Sequence, residues 1–283
     1  MELICETKEN YCTRVRVSAD GELFLLCAAT GNVLKCDPSG ESVARTEEVV
    51  ATNTTPSTFA LDEGQGEGSF ILANPSEGSV VLMDANACPK TLFSSFEAKP
   101  FIGPCAVAVS PVDHEVFFTD GGHEGDTSFS NPTGAIYRTV RGRKQLLALC
   151  STGLVQPCGI AVDRNGSVFV CEQGMNRLLR FAPRGGHYVG SVFYQFSGSM
   201  GPTDVAVDGQ SGSIFVTMFE PASLAHKKEG KVVVLDPSGK VSGEIVVPST
   251  QLSSVALSVD GRCAYILSSD EVTCTSEVFW CTL

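Results

Sequence analysis

Pro157–Phe181, PCGIAVDRNGSVFVCEQGMNRLLRF, carries the pattern that decides the fold. Gly159–Val162 is a short apolar strand that ends at Asp163-Arg-Asn-Gly166. That tetrapeptide suits a tight hairpin, because its glycine accepts a positive φ. Val168–Val170 reads as the returning strand, Arg177–Phe181 as a third and Tyr188–Phe196 as an outer edge. No helical period interrupts them, so the segment spells one four-stranded antiparallel sheet.

The same strand, polar turn and strand recur on both sides. Thr13–Leu26, Ser57–Leu72, Cys105–Thr119, Cys158–Val170, Thr203–Thr217 and Ser253–Leu267 all carry it. The first strand of each keeps one register and ends at Ser18, Asp62, Ser110, Asp163, Asp208 or Ser258. Successive anchors lie between 44 and 53 residues apart, which is the length of one propeller blade. The expectation is therefore all-β: a six-bladed β-propeller filling 1–283 as one domain. Its blades begin near 13, 57, 105, 158, 203 and 253. The last repeat shows only three strands (Ser254–Ser258, Cys263–Leu267, Glu277–Leu283), while a spare apolar stretch, Leu3-Ile4-Cys5, precedes the first. Pairing residues 1–10 with the C-terminal strand would complete the last sheet and remove its open edge.

Composition agrees and narrows the function. The 28 glycines and 14 prolines supply many tight turns. A formal net charge of −12 opposes binding to phosphate backbones, so no nucleic acid is expected. Arg138, Arg141, Arg143 and Lys144 form the one basic cluster, and it reads as a solvated hairpin. No run of apolar residues is long enough to span a membrane, and the start lacks the layout of a secretory signal. The twelve cysteines include no Cys-x-x-Cys and fall partly on apolar strand positions, as expected of free thiols in a reducing cytosol.

Pro157–Phe181 resembles an NHL repeat: it has the Pro-x-Gly-Ile-Ala-Val-Asp opening and a late arginine, Arg177. Glu172 stands where that repeat has Asp, and Met175 where it has Asn, with Asn176 one position late. More widely, the chain is similar to gluconolactonase-like and strictosidine-synthase-like propellers. That resemblance implies a divalent cation held by a first-blade Glu, the Asn of an Asn-Gly pair and the Asp of an Asp-Gly pair. The matching positions carry Thr13-Arg14, Cys105-Ala106 and Cys158-Gly159 instead, and Asp204 falls one residue past the register, which Thr203 occupies. A one-residue slip on a strand turns a side chain to the other face.

No catalytic residue, cofactor or metal is therefore expected. Thr13, Ser57, Cys105, Cys158, Thr203 and Ser253 form a ring of small hydroxyl and thiol residues at the inner-strand starts, where converging strands leave little room. A thiol-based pair of Cys105 and Cys158 is disfavoured, because a reactive cysteine needs a positive or histidine-bearing neighbourhood. Two connections exceed the rest, Gly121–Gly134 and Phe219–Gly230, and both should rise on the face carrying that ring. Their His123, Glu124, Asp126, Phe129, Phe219, Leu224, His226, Lys227 and Lys228 are the candidate partner contacts. The expected function is a non-catalytic protein-interaction platform or structural subunit in the cytoplasm, with a cytoskeletal or ciliary setting and no small-molecule substrate. The alternative is a diverged gluconolactonase-like metal-dependent hydrolase, followed by an RNA-binding NHL propeller.

Overall fold

The computed structural model describes all residues except 9–10, 29, 37–45, 51, 53, 63, 65–68, 85–87, 123–124, 199 and 222–228. The chain opens with β1 (Glu2–Lys8). The first blade is β2 (Cys12–Val17), β3 (Leu23–Cys27), β4 (Val33–Cys36) and β5 (Thr46–Val50). The second is β6 (Thr58–Leu61), β7 (Phe70–Asn74), β8 (Ser79–Met83) and β9 (Pro89–Phe93), followed by a small ribbon of β10 (Ser95–Phe96) and β11 (Lys99–Pro100). The third is β12 (Pro104–Val109), β13 (Val116–Asp120), β14 (Gly134–Val140) and β15 (Gln145–Leu154). The fourth is β16 (Pro157–Val162), β17 (Val168–Glu172), β18 (Arg177–Arg184) and β19 (His187–Gln195). The fifth is β20 (Pro202–Val207), β21 (Ile214–Met218), β22 (Gly230–Leu235) and β23 (Val241–Val247). The last is β24 (Leu252–Leu257), β25 (Cys263–Asp270) and β26 (Thr275–Thr282), completed by β1.

The fold is a six-bladed β-propeller of four-stranded antiparallel sheets. Closure by the two termini is as the sequence predicts. β1 runs antiparallel to β26, from Glu2 opposite Trp280 to Lys8 opposite Thr275. The hairpin turns also follow the sequence. In the fourth blade Gly166 takes φ +74° and donates its N–H to the Asp163 carbonyl at 3.0 Å. The Asp163 carboxylate accepts from the N–H groups of Asn165 and Ser167, which holds the turn shut.

Backbone contacts gather into two compact units, Met1–Thr55 with Ala206–Leu283, and Pro56–Val205. Within each unit the cores are layers between neighbouring blades. Ile71, Ala73 and Val80 of the second blade pack with Val107, Phe118 and Tyr137 of the third. Ile136 of the third meets Val168, Val170 and Leu179 of the fourth. In the other unit, Phe215 and Val232 meet Val255 and Ile266, while Val15 and Leu25 meet Ala256 and Val278. A second strand is thus covered on both faces, so β3, β7, β13, β17 and β21 are buried at every residue. Their sequences are correspondingly unbroken apolar runs instead of alternations.

The basic hairpin differs from its reading as a solvated turn. The Arg143 guanidinium forms a bidentate pair with Asp62, which has no exposed side-chain surface. It also donates to the His114 carbonyl from Nε at 3.0 Å and Nη2 at 2.7 Å. Arg141, Gly142 and Arg143 all take positive φ, and the N–H groups of Gly142 and Arg143 donate to the buried Glu115 carboxylate. Thr139 Oγ1 donates to the same carboxylate. The hairpin clasps the second blade to the third, and Arg138 lies over the Tyr188 ring of the fourth. Sequence spacing shows neither contact, because the partners are distant in the chain.

Candidate functional site

The inner-strand starts share a local irregularity that explains their residue types. Pro104 pairs with Asp120 and Ala106 with Thr119, so Cys105 is an extra residue in the ladder. Cys158 is skipped in the same way between Pro157 and Gly159, Thr13 between Cys12 and Arg14, and Ser253 between Leu252 and Ser254. Four of the six predicted ring residues are therefore β-bulge residues, and bulges re-aim side chains at strand ends. Two of the four bulges, at Cys105 and Cys158, follow a proline, whereas those at Thr13 and Ser253 follow Cys12 and Leu252 and carry no such signal in the sequence.

The bulged side chains bind backbone. In the unit Pro56–Val205, the Ser57 hydroxyl donates to the Cys105 carbonyl at 2.8 Å, joining the second inner strand to the third. The Cys105 thiol lies 3.1 Å from the carbonyl oxygens of both Gly103 and Gly122. The Cys158 thiol lies 3.2 Å from the Pro202 carbonyl oxygen, with those of Thr203 and Cys171 farther out. Carbonyl oxygens accept from an S–H and repel an anion, which argues against Cys105 or Cys158 as a nucleophile or metal ligand. In the other unit, Arg14 Nη1 donates to the carbonyls of Thr13 and Ser253, and Arg16 Nη1 to the Ser254 hydroxyl. Ser253 Oγ lies 3.3 Å from Ser269 Oγ.

Buried carboxylates near these starts were missed by sequence reasoning. Asp120, at the end of β13, accepts from the N–H groups of Ile102 and Gly103 at 3.1 and 2.7 Å. Burial pushes its pKa up, and those two donors pull it partly back. Glu172, the counterpart of the NHL aspartate, accepts from Val155 N–H at 2.9 Å and from Arg177 Nε at 2.6 Å. Both carboxylates pin the segment that enters an inner strand, the Asp120 oxygens through backbone N–H groups alone and those of Glu172 through one backbone N–H and Arg177. Asp204 is fully buried while Thr203 beside it is half-exposed.

The long connections are only partly described. His123, Glu124, Leu224, His226, Lys227 and Lys228 lie outside the described residues. The connection Gly121–Gly134 does lie over the inner-strand starts of its unit: Thr127 Oγ1 accepts from the Gln156 N–H at 2.7 Å, just before β16. On it, Asp126 is exposed and Phe129 is 74% exposed. Phe219 is half-buried, forms a bridge with Gln251, and is followed by Glu220 N–H donating to the Thr250 carbonyl.

No family model matches this sequence, and no curated protein does. Solved structures do. A gluconolactonase from Xanthomonas campestris superposes with a TM-score of 0.75 and 16% identity, over 98% of this chain and 89% of its own. Regucalcin from Agrobacterium tumefaciens, a calcium-binding protein, gives 0.73 and 15% over 98% and 92%. The fold is that of the gluconolactonase- and regucalcin-like propellers. A third neighbour is the PQQ-bound aldose sugar dehydrogenase of Streptomyces coelicolor, at 0.71 and 15% over 99% and 97%.

These neighbours overturn the expectation of a non-catalytic scaffold in a cytoskeletal or ciliary setting. That expectation took the missing ligands as missing chemistry, whereas these three neighbours, matching the chain over 98–99% of its length, are a gluconolactonase, a calcium-binding protein and a sugar dehydrogenase. The cation that the regucalcin-like resemblance implies does not fit the residues present. Carbonyl-bound thiols stand where oxygen ligands are needed, and the buried Asp204 lies one residue past the matching position in the sequence. Among the described residues, no group of three His, Cys, Asp or Glu side chains converges as a metal site.

Proposed function

We propose that the protein is a small-molecule hydrolase of the gluconolactonase-like kind, opening a cyclic, sugar-derived ester where the inner strands begin. The observation that carries this reading is the likeness to a gluconolactonase across 98% of the chain, with no domain-sized insertion on either side. The local chemistry suits a polyhydroxylated ligand better than a charged one. The Gly103 and Gly122 carbonyl oxygens gather at Cys105 and those of Pro202 and Thr203 at Cys158, and Ser57 and Thr203 at the neighbouring inner-strand starts are half-exposed. Carbonyls accept from ligand hydroxyls, and side-chain hydroxyls donate to or accept from the ring oxygens. No step is assigned to a metal, because the family's ligand set is not matched. Asp120 and Glu172 are not assigned as bases, because their oxygens already accept from backbone and Arg177.

The test is a panel of aldonolactones with five- and six-membered rings, followed by acid release, with protein stripped by chelator and with protein supplied with Ca²⁺ or Zn²⁺. The expected outcome is opening of at least one lactone well above buffer, with the rate retained after stripping. If every lactone opens at the buffer rate in both arms while a gluconolactonase run alongside is active, the hydrolase reading fails.

A further inference from the structure

The first blade holds a dithiol that none of the site chemistry uses. Cys12 and Cys27 are cross-strand partners at one end of the β2–β3 ladder, and neither has any exposed surface. Their backbones are not hydrogen-bonded to each other. Cys12 N–H donates to Ser276 Oγ at 2.8 Å and its carbonyl accepts from Ser269 Oγ, while Cys27 N–H donates to the Asn32 carbonyl and the Cys27 carbonyl accepts from Gly31. A directly opposed, non-hydrogen-bonded antiparallel pair has its Cα atoms about 4.5 Å apart. That separation lies inside the range of about 4.4–6.8 Å that a disulfide spans. The two thiols are in hydrogen-bonding contact with each other.

What covers this pair is the closing seam of the propeller. Thr7 Oγ1 lies 4.0 Å from Cys12 Sγ, and Ser276 Oγ binds the Cys12 N–H. Thr7 and Ser276 are themselves partners across β1 and β26. The terminal strand pair therefore lies directly over Cys12. The contact with Cys27 and burial push the Cys12 thiol's pKa far up, so the closed seam holds it as unreactive S–H. Lifting β1 removes the Thr7 contact and admits solvent, which returns the thiol towards ordinary reactivity. β1 is the outer strand of its sheet, paired with β26 alone, and such edge elements open at lower free energy than the core.

We propose that Cys12 and Cys27 are a disulfide-forming modification site whose access is controlled by the opening of β1 from β26. The oxidant is a low-molecular-weight disulfide. The Cys12 thiolate attacks one of its sulfurs, breaking the oxidant's S–S bond and releasing one thiol in a mixed disulfide. The Cys27 thiolate then displaces the second thiol and closes the Cys12–Cys27 bond. Two cysteine thiols are oxidised, one disulfide is reduced to two thiols, and the protons end on the released thiols. The product ties the first residue of β2 to the last of β3, beside the bulged Thr13. Cys5 and Cys36 form a second thiol contact in the same apolar cluster, but no strand register sets the separation of their Cα atoms.

The experiment incubates the full-length folded protein with glutathione disulfide. Remaining thiols are blocked by alkylation after unfolding, and the peptides are mapped without reduction. The expected product is a peptide linked through Cys12 and Cys27, lighter by two hydrogen atoms, in a protein melting about 5–10 °C higher. Cys27→Ser should stop at a mixed disulfide on Cys12. Removing the Thr7 contact by Thr7→Gly should increase the rate of linkage severalfold, because it loosens the seam. Full alkylation of both Cys12 and Cys27 in the oxidised wild-type protein overturns the proposal, as does a Cys5–Cys36 link in place of theirs. A linkage rate unchanged by Thr7→Gly overturns the gating. The wild-type mapping decides the outcome even if a cysteine variant fails to fold.

Discussion

Replacing Arg143 with Met removes one charge from a buried pair and leaves the other, so its cost measures how far the hairpin clasp is from a surface salt bridge. The Asp62 side chain has no exposed surface and that of Arg143 is 9% exposed. The guanidinium makes a bidentate contact with Asp62 and two bonds to the His114 carbonyl. Stripping a partner from a buried ion pair costs about 3–5 kcal/mol, because the remaining carboxylate stays desolvated. An exposed pair, which is how the sequence reads, would cost at most about 1 kcal/mol. For a chain of this size each kcal/mol moves the melting temperature by about 2 °C. Arg143→Met should thus melt about 6–10 °C below the parent by calorimetry. The double replacement Arg143→Met with Asp62→Leu removes both charges and should recover more than half of that loss. A single variant within about 2 °C of the parent would refute the argument. So would a double variant as unstable as the sum of the two singles.

Two further outcomes follow from the terminal seam. Deleting residues 1–8 uncovers the edge of β26 and the apolar cluster around Cys12, Val15 and Val278 that Cys5 packs into, so the truncated protein should melt lower and self-associate; unchanged melting and a monomeric elution profile would contradict closure. Glu277 sits opposite Glu6 across the seam, and its pKa is raised first by burial and then by the Glu6 charge. A raised carboxyl favours the fold while protonated, so this contribution is complete below the unfolded pKa and is lost as pH climbs through the folded value. Glu277→Gln should flatten the melting temperature between pH 4 and pH 7 and raise it at pH 7; an unchanged pH profile would remove Glu277 from the account.

Much of the fold was legible because a propeller blade repeats in sequence as it repeats in space. The Asp163–Gly166 turn, the anchor spacing and the spare strand at Leu3–Cys5 are all local or periodic signals. The small residues at the inner-strand starts were also legible, but the bulges on which four of them sit were not. Cys105, Cys158, Thr13 and Ser253 are small because each is an extra residue at a bulge, and a bulge is a property of two paired strands. The functional expectation erred for a related reason. Ligand positions inferred by counting along a strand give the register, and the absence of one family's ligands at those positions left open what else a propeller of this shape does.

The amino-acid sequence by itself determined the number of blades, their four-stranded content and the pairing of the termini, because each follows from hydrophobic period, turn chemistry and repeat length. Only the tertiary structure decided which polar groups are buried and what satisfies them. Arg143 finds Asp62 across two blades, Asp120 and Glu172 close on backbone N–H groups ahead of their inner strands, and the terminal seam covers the Cys12–Cys27 pair. The backbone contacts of Asp120 and Glu172, that of Arg143 with Asp62 and that of Ser276 with Cys12 at the seam join residues 17 to 264 positions apart in the chain. Their energies come from desolvation and geometry at the contact, and neither quantity is written in local sequence.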